Sequence, residues 1–149
     1  YKKTDNVFIS GKVKFDEPLP DSVKKHISKI IKANAKIHIG DAPGADTRVQ
    51  DFLSEKNYRN VMVYSTDEKV RNNVGNWDVN YIRGGNELDE TAWRAQKDKA
   101  MTDVSNRGFA ISSADDRPDS ATSLNIQRLK DKGAPVVIYD YKTGNWIYS

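Results

Sequence analysis

The chain has no cysteine, and this one absence removes disulfides, thiolate nucleophiles and cysteine-bound zinc together. No apolar stretch approaches the roughly 18 to 20 residues that a membrane span needs. The first ten residues, YKKTDNVFIS, hold no long apolar region of the kind a signal peptide carries. Neither sign of charge dominates: 24 basic and 21 acidic residues are interspersed and leave a net charge of +3, a balance that suits small anions as well as nucleic acid. Internal repeats and low-complexity linkers are also missing. With 149 residues and 37% hydrophobic content the chain has material for one core, so a single domain over 1–149 is expected. The expected protein is cytoplasmic, outside the membrane, and carries neither a metal nor a cofactor.

Against that background, apolar and β-branched runs alternate with helical patterns. The segments 7–11 (VFISG), 36–40 (KIHIG), 61–65 (VMVYS), 109–113 (FAISS) and 135–140 (PVVIYD) are short and turn-bounded, as buried strands are. Between the first two, Leu19, Val23, Ile27, Ile30 and Ile31 fall on one helical face, with Pro20 near the first turn and Asp21 or Ser22 available for capping. Ala45, Val49, Phe52 and Leu53 make a second stripe, residues 88–104 a third, and residues 120–132 a fourth that stops at Gly133-Ala134-Pro135. Such alternation predicts an α/β, Rossmann-like three-layer domain with a mostly parallel five-stranded sheet in the order 3-2-1-4-5. The turn at Lys142-Thr143-Gly144, followed by Asn145-Trp146-Ile147-Tyr148, adds a C-terminal antiparallel edge hairpin.

Ligands of open parallel sheets sit beyond the carboxyl ends of the strands, where helices begin. Here those ends read Ser10-Gly11-Lys12, Gly40-Asp41-Ala42-Pro43-Gly44-Ala45-Asp46, and Ser112-Ser113 followed by Ala114-Asp115-Asp116-Arg117. Together with RNNVGNW after the third strand, KDKAM in the long helix and NIQRL before PVVIYD, these motifs resemble the bacterial and phage YspA-like branch of the SLOG superfamily. That superfamily is itself similar to the DNA-processing protein DprA and to the LOG phosphoribohydrolases. The resemblance spans nearly the whole chain and implies a Rossmann-like fold and a nucleotide or nucleotide-derived ligand. Two positions depart from the pattern. Gly11-Lys12-Val13 stands where relatives read Gly-Ser-Arg, leaving Lys12 as a looser point charge. Residues 119–125 (DSATSLN) replace both the glycine-threonine pair and the LOG glutamate motif.

The ligand-binding candidates are Ser10, Gly11, Lys12, Gly40, Asp41, Gly44, Ala45, Asp46, Arg71, Asn73, Trp77, Asp98, Ser113, Ser120 and Thr122. Phosphate is expected at the Gly44-Ala45 helix start, where N–H groups point outward. Asp41 has the reach for ribose hydroxyls or for a general base, and Asp98, matched to the family pattern, is the other catalytic candidate. Asp46 reads equally as a hydroxyl ligand or as a first-turn acid that complements the helix dipole. Trp77, amid Arg71, Asn73 and their neighbours, reads either as a stacking aromatic or as a pin that fastens a long loop to the core. Arg94 and Lys97 read as solvated helix positions, His38 as a packed strand histidine and His26 as surface. The expected function is binding or sensing of a nucleotide-derived ligand. The alternatives are an N-glycosidic bond hydrolase or transferase acting on nucleotides, and single-stranded nucleic-acid binding of the DprA kind. Nucleic acid ranks below a small molecule because no row of aromatics alternates with lysines. A homo-oligomer remains open.

Overall fold

Strand runs and helical stripes in alternation each have one face to bury, and the computed structural model of the chain satisfies them by setting a sheet between two pairs of helices. It describes residues 1–66, 69–82 and 90–149. In chain order the elements are β1 (Asn6–Gly11), α1 (Asp21–Ala33), β2 (Lys36–Gly40), α2 (Ala45–Glu55), β3 (Val61–Ser65), β4 (Asp78–Tyr81), α3 (Glu90–Val104), β5 (Arg107–Ser112), α4 (Ala121–Asp131), β6 (Val136–Asp140) and β7 (Trp146–Tyr148). The sheet runs β4-β3-β2-β1-β5-β6-β7, every neighbour parallel except β6 and β7. The C-terminal antiparallel hairpin is thus present. Among the described residues, no helix is long and apolar enough to cross a membrane.

The expected five-stranded sheet is corrected to seven strands: the five expected ones run β3-β2-β1-β5-β6, with β4 added outside β3 and the hairpin strand β7 outside β6. The added parallel strand is β4, inside what reads in the sequence as a long loop. Its residues DVNY are mostly exposed and carry no apolar run, so nothing but pairing with β3, from Met62↔Asp78 to Ser65↔Tyr81, marks them as strand. The start of the third helix expected at Leu88 lies outside the described residues.

The two helix pairs cover opposite faces. Val23, Ile27 and Ile30 of α1 and Val49, Phe52 and Leu53 of α2 pack with Val7, Ile9, Ile37, Ile39 and Val63 of the sheet. Met101 of α3 and Leu129 of α4 pack with Phe8, Ala110 and Ile138, the alternate positions of the same strands, as the two-residue side-chain period requires. Strand order reverses between β1 and β5, so their carboxyl ends open a crevice. Helix α1 starts after Pro20 without a side-chain cap from Asp21 or Ser22, and ends at Asn34 in the left-handed region, whose N–H reaches Ile30 and Ile31 carbonyls. Helix α4 is capped by Ser120, which accepts a hydrogen bond from the Ser123 N–H.

Both histidines are packed, His38 buried and His26 half-buried. His38 is buried between the Tyr64 hydroxyl (2.8 Å) and Asn6 Oδ1 (2.9 Å), a packed strand histidine. His26, expected on the surface, instead lies 2.6 Å from the Tyr1 hydroxyl with its ring against Phe109 and Trp146. Burial pushes each imidazole down to about 4.

Trp77 is the pin of its loop and is not placed to stack on a ligand. It is 4% exposed in the α1 and α2 core, and its indole N–H donates to the Tyr58 carbonyl at 2.7 Å. Asn73 closes the same turn: its amide donates to the Trp77 carbonyl (2.8 Å) and accepts the Trp77 N–H (3.0 Å). Trp77→Ala is expected to destabilise the fold by about 3 to 5 kcal/mol, the cost of emptying a buried aromatic site, read as a lower urea midpoint at unchanged slope.

Candidate functional site

At the carboxyl end of β2 the chain must turn into α2 while the end of β1 crosses close by. Gly44 makes the crossing possible: its φ is +86°, and a Cβ there would lie 2.0 Å from the Val13 carbonyl oxygen. The Ala45 N–H then donates to the Lys12 carbonyl at 3.1 Å. The phosphate expected at Gly44 and Ala45 is therefore displaced by the chain itself, because the β1 loop already occupies the helix start.

Asp41, the next residue after β2, is 1% exposed. Its Oδ2 accepts the Arg71 N–H and its Oδ1 the Arg71 guanidinium, both at 2.9 Å, while Lys97 Nζ stands 3.6 Å from Oδ1. Burial pushes this carboxyl up, but the Arg71 hydrogen bonds and the Lys97 charge outweigh it and hold it below the ordinary carboxylate range. A carboxylate so occupied and so covered is a structural anchor. The expectation that Asp41 meets ribose hydroxyls or acts as a base is corrected accordingly.

Asp46 takes the open position that was expected for Asp41. From the first turn of α2 its carboxyl folds back over Gly40, where a Cβ would lie 2.7 Å from Asp46 Oδ2 and 3.5 Å from Lys97 Nζ. The Ala42 N–H donates to Oδ2 at 3.3 Å. Burial pushes the Asp46 carboxyl up to about 7; Lys97 opposes the rise, and Asp98 and Asp41 reinforce it. Burial likewise raises Asp98, against the pull of Lys97 and of a hydrogen bond from Asn125.

These groups line a cleft of about 150 Å³ at the strand-order reversal, where Ser10, Gly11, Gly40, Asp46, Lys97 and Asp98 meet. Arg71 and Arg94 line it too, as do Thr122 and Asn125 of α4. A second hollow of about 320 Å³ adjoins it, sharing Val13, Ala121 and Thr122 and adding Lys12, Lys14, Arg117 and Ser120. Lys12 is held there by the Tyr141 hydroxyl at 2.7 Å and by Asp116 at 3.8 Å. Both hollows mix the signs of charge: Arg71, Arg94 and Lys97 accompany Asp46 and Asp98 in the cleft, and Asp115 and Asp116 accompany Lys12, Lys14 and Arg117 in the groove.

Of the sequence candidates, Ser10, Gly11, Gly40, Asp46, Arg71, Asp98 and Thr122 are brought to the cleft, and Lys12, Ser120 and Thr122 to the groove. Ser113 lines a separate hollow under β7, its hydroxyl accepting the Asp115 N–H. Lys97, read as solvated, is 5% exposed and is the cation at the centre of the acids. Its spacing of four from buried Met101 is the signal that places it on the inward face of α3. Gln50 is the other residue missed. Fully buried on α2, its amide donates to the Gly40 and Asn72 carbonyls and accepts the Val74 N–H, binding the 71–76 loop to the strand end.

No protein-family model and no curated protein matches the chain. Among solved structures it is similar to DNA processing protein A from Helicobacter pylori, described for its single-stranded DNA binding mode, with a TM-score of 0.59 and 15% identity. The likeness covers 89% of this chain, which spans 64% of that one, and at this identity it establishes a shared fold. The fold is Rossmann-like α/β.

Two outcomes test this electrostatic arrangement. Asp41→Asn removes the charge that Arg71 and Lys97 are buried against, and is expected to cost on the order of 3 kcal/mol in denaturant unfolding. For Asp46 the raised carboxyl means that the folded state binds the proton more tightly than the unfolded chain. Its contribution is full below pH 4 and is lost as pH rises through about 7. The lowered histidines act in the opposite sense between about 4 and 6.5. The readout is therefore the difference between wild type and Asp46→Asn: the variant should gain about 1 kcal/mol or more on wild type between pH 5 and pH 8.

Proposed function

We propose that the carboxyl-end rim binds a nucleotide or nucleotide-derived ligand, with its phosphate in the outer groove and its sugar in the cleft. The observation that carries this reading is the pairing, at the strand-order reversal, of a cleft that holds Asp46 and Asp98 with an adjoining groove that holds Lys12, Lys14 and Arg117 beside Asp115 and Asp116. Lys12, Lys14 and Arg117, beside the Ser120-capped start of α4, suit a phosphate, and the half-buried Asp46 and Asp98 suit hydroxyl donors. The position at the strand-order reversal is where open α/β sheets hold such ligands. Sensing or sequestration is the activity assigned, within a SLOG-type family whose YspA-like branch the motifs resemble.

The fold shared with the Helicobacter pylori protein supports a second reading, single-stranded nucleic acid along the same groove. It differs in its salt response. Each neutralised phosphate of a single strand contributes a log-log slope of roughly 0.7, so a tight, steeply salt-dependent oligothymidylate complex would favour it over a small ligand. Turnover is separable as well. The bound nucleotide is expected to remain intact on long incubation, whereas steady release of free base, abolished in Asp98→Asn, would assign N-glycosidic hydrolysis.

The direct test is a thermal panel of adenine and guanine nucleotides, ADP-ribose and cyclic dinucleotides. A ligand at 100 times its Kd adds about 2.7 kcal/mol, or about 5 to 11 °C for a chain of this size. Lys14→Glu reverses an exposed charge in the groove, and should weaken that ligand about tenfold while shifting the free protein by no more than about 0.5 kcal/mol. A flat panel with folded protein would remove the reading.

A further inference from the structure

We infer that the cleft selects a ribose over a deoxyribose, Asp46 and Asp98 together gripping the two neighbouring hydroxyls of the sugar. The inference rests on the proposed function and narrows it to ribonucleotide chemistry.

Three observations support it. First, the acids come from separate elements, α2 and α3, and converge on one small cavity of about 150 Å³, room for a sugar ring but not for a whole nucleotide. Second, both carboxyls are held. Asp46 lies over a strand end left bare at Gly40, with the Ala42 N–H on Oδ2, and Asp98 takes a hydrogen bond from Asn125, whose own Oδ1 accepts Arg128 at 2.8 Å. Carboxyls preset in this way ask the ligand for hydrogen-bond donors. Hydroxyls answer in either protonation state, since a neutral carboxyl donates as well as accepts and so does a hydroxyl. Third, the cleft and the groove that holds Lys12, Lys14 and Arg117 share Val13, Ala121 and Thr122, so they are immediate neighbours. With phosphate in the groove, the group that reaches the acids is the one joined directly to it. In a nucleotide that group is the sugar; the base lies farther on.

The groups facing this pair are Lys97 on α3, Asp41 after β2, and Arg71 and Arg94 at the cleft wall. Lys97 keeps two acids and a third beneath them compatible in one place. A sugar without its 2′ hydroxyl would withdraw one of the two donors offered to the half-buried carboxyls, and a site built to hydrogen-bond a hydroxyl discriminates against the analogue that lacks it.

The experiment is calorimetric titration of the intact chain at constant pH with matched pairs: AMP and dAMP, GMP and dGMP, CMP and dCMP, UMP and dUMP, and ribose 5-phosphate with 2-deoxyribose 5-phosphate. The expected result is that the ribo member of whichever pair binds is at least tenfold tighter, that ribose 5-phosphate retains measurable binding, and that Asp98→Asn brings the ratio close to one. Asp46→Asn is the second variant and should do the same. Equal affinity of the two members, or discrimination that persists unchanged in both variants, overturns the diol assignment while leaving nucleotide binding at the rim intact. If no member of any pair binds, the proposed function fails first, and the diol assignment fails with it.

Discussion

A carboxylate sealed from water has to be matched by charge and hydrogen bonds, and the rim of this protein is arranged around that requirement at Asp41. Its two oxygens draw the Arg71 backbone and guanidinium from the loop after β3, and Lys97 from α3 on the other face of the sheet. Three segments far apart in the chain therefore meet at the end of one strand. Gln50 reinforces the same junction from α2, spending its whole amide on the strand end and on the 71–76 loop. The anchor is what brings Lys97 between the open acids. Without it the cleft would be a pair of repelling carboxyls and a loose loop.

That arrangement also explains why the glycine-rich turn does not serve as an anion cradle. Gly44 is used to let the loop after β1 pass against the start of α2, and the chain's own carbonyl takes the helix N–H. The cations Lys12, Lys14 and Arg117 lie farther out beside α4, together with Asp115 and Asp116.

Hydrophobic periodicity carried most of the architecture. The stripes at Val23, Ile27 and Ile30 and at Val49, Phe52 and Leu53 are those that pack, and the segments at 7–11, 36–40, 61–65, 109–113 and 135–140 all fall on strands, give or take two residues. β4 was illegible because it offers a single apolar residue to the core, Val79, and its other positions are exposed. At the site, strand-end position was informative and residue type was not. Asp41 and Asp46 are alike in composition and neighbourhood along the chain, yet one is buried beneath an arginine and the other lines the cleft. That difference depends on Arg71 and Lys97 arriving from elsewhere, which no local pattern encodes. Trp77 was ambiguous for the same reason, since its indole partner is the Tyr58 carbonyl, 19 residues away in sequence.

The two outermost strands have a bearing on how the molecule behaves in a crowd. β4 has four residues and β7 three, against five or six in every strand between them. A copy adding itself sideways to either margin would find only a few backbone groups to pair with. At one margin it would also meet Asp78 and Asn80. A sheet so apolar in its middle would otherwise be a template for its own polymerisation; tapering it at both sides lets the chain keep a highly aggregation-prone interior while offering little for a growing fibre to hold.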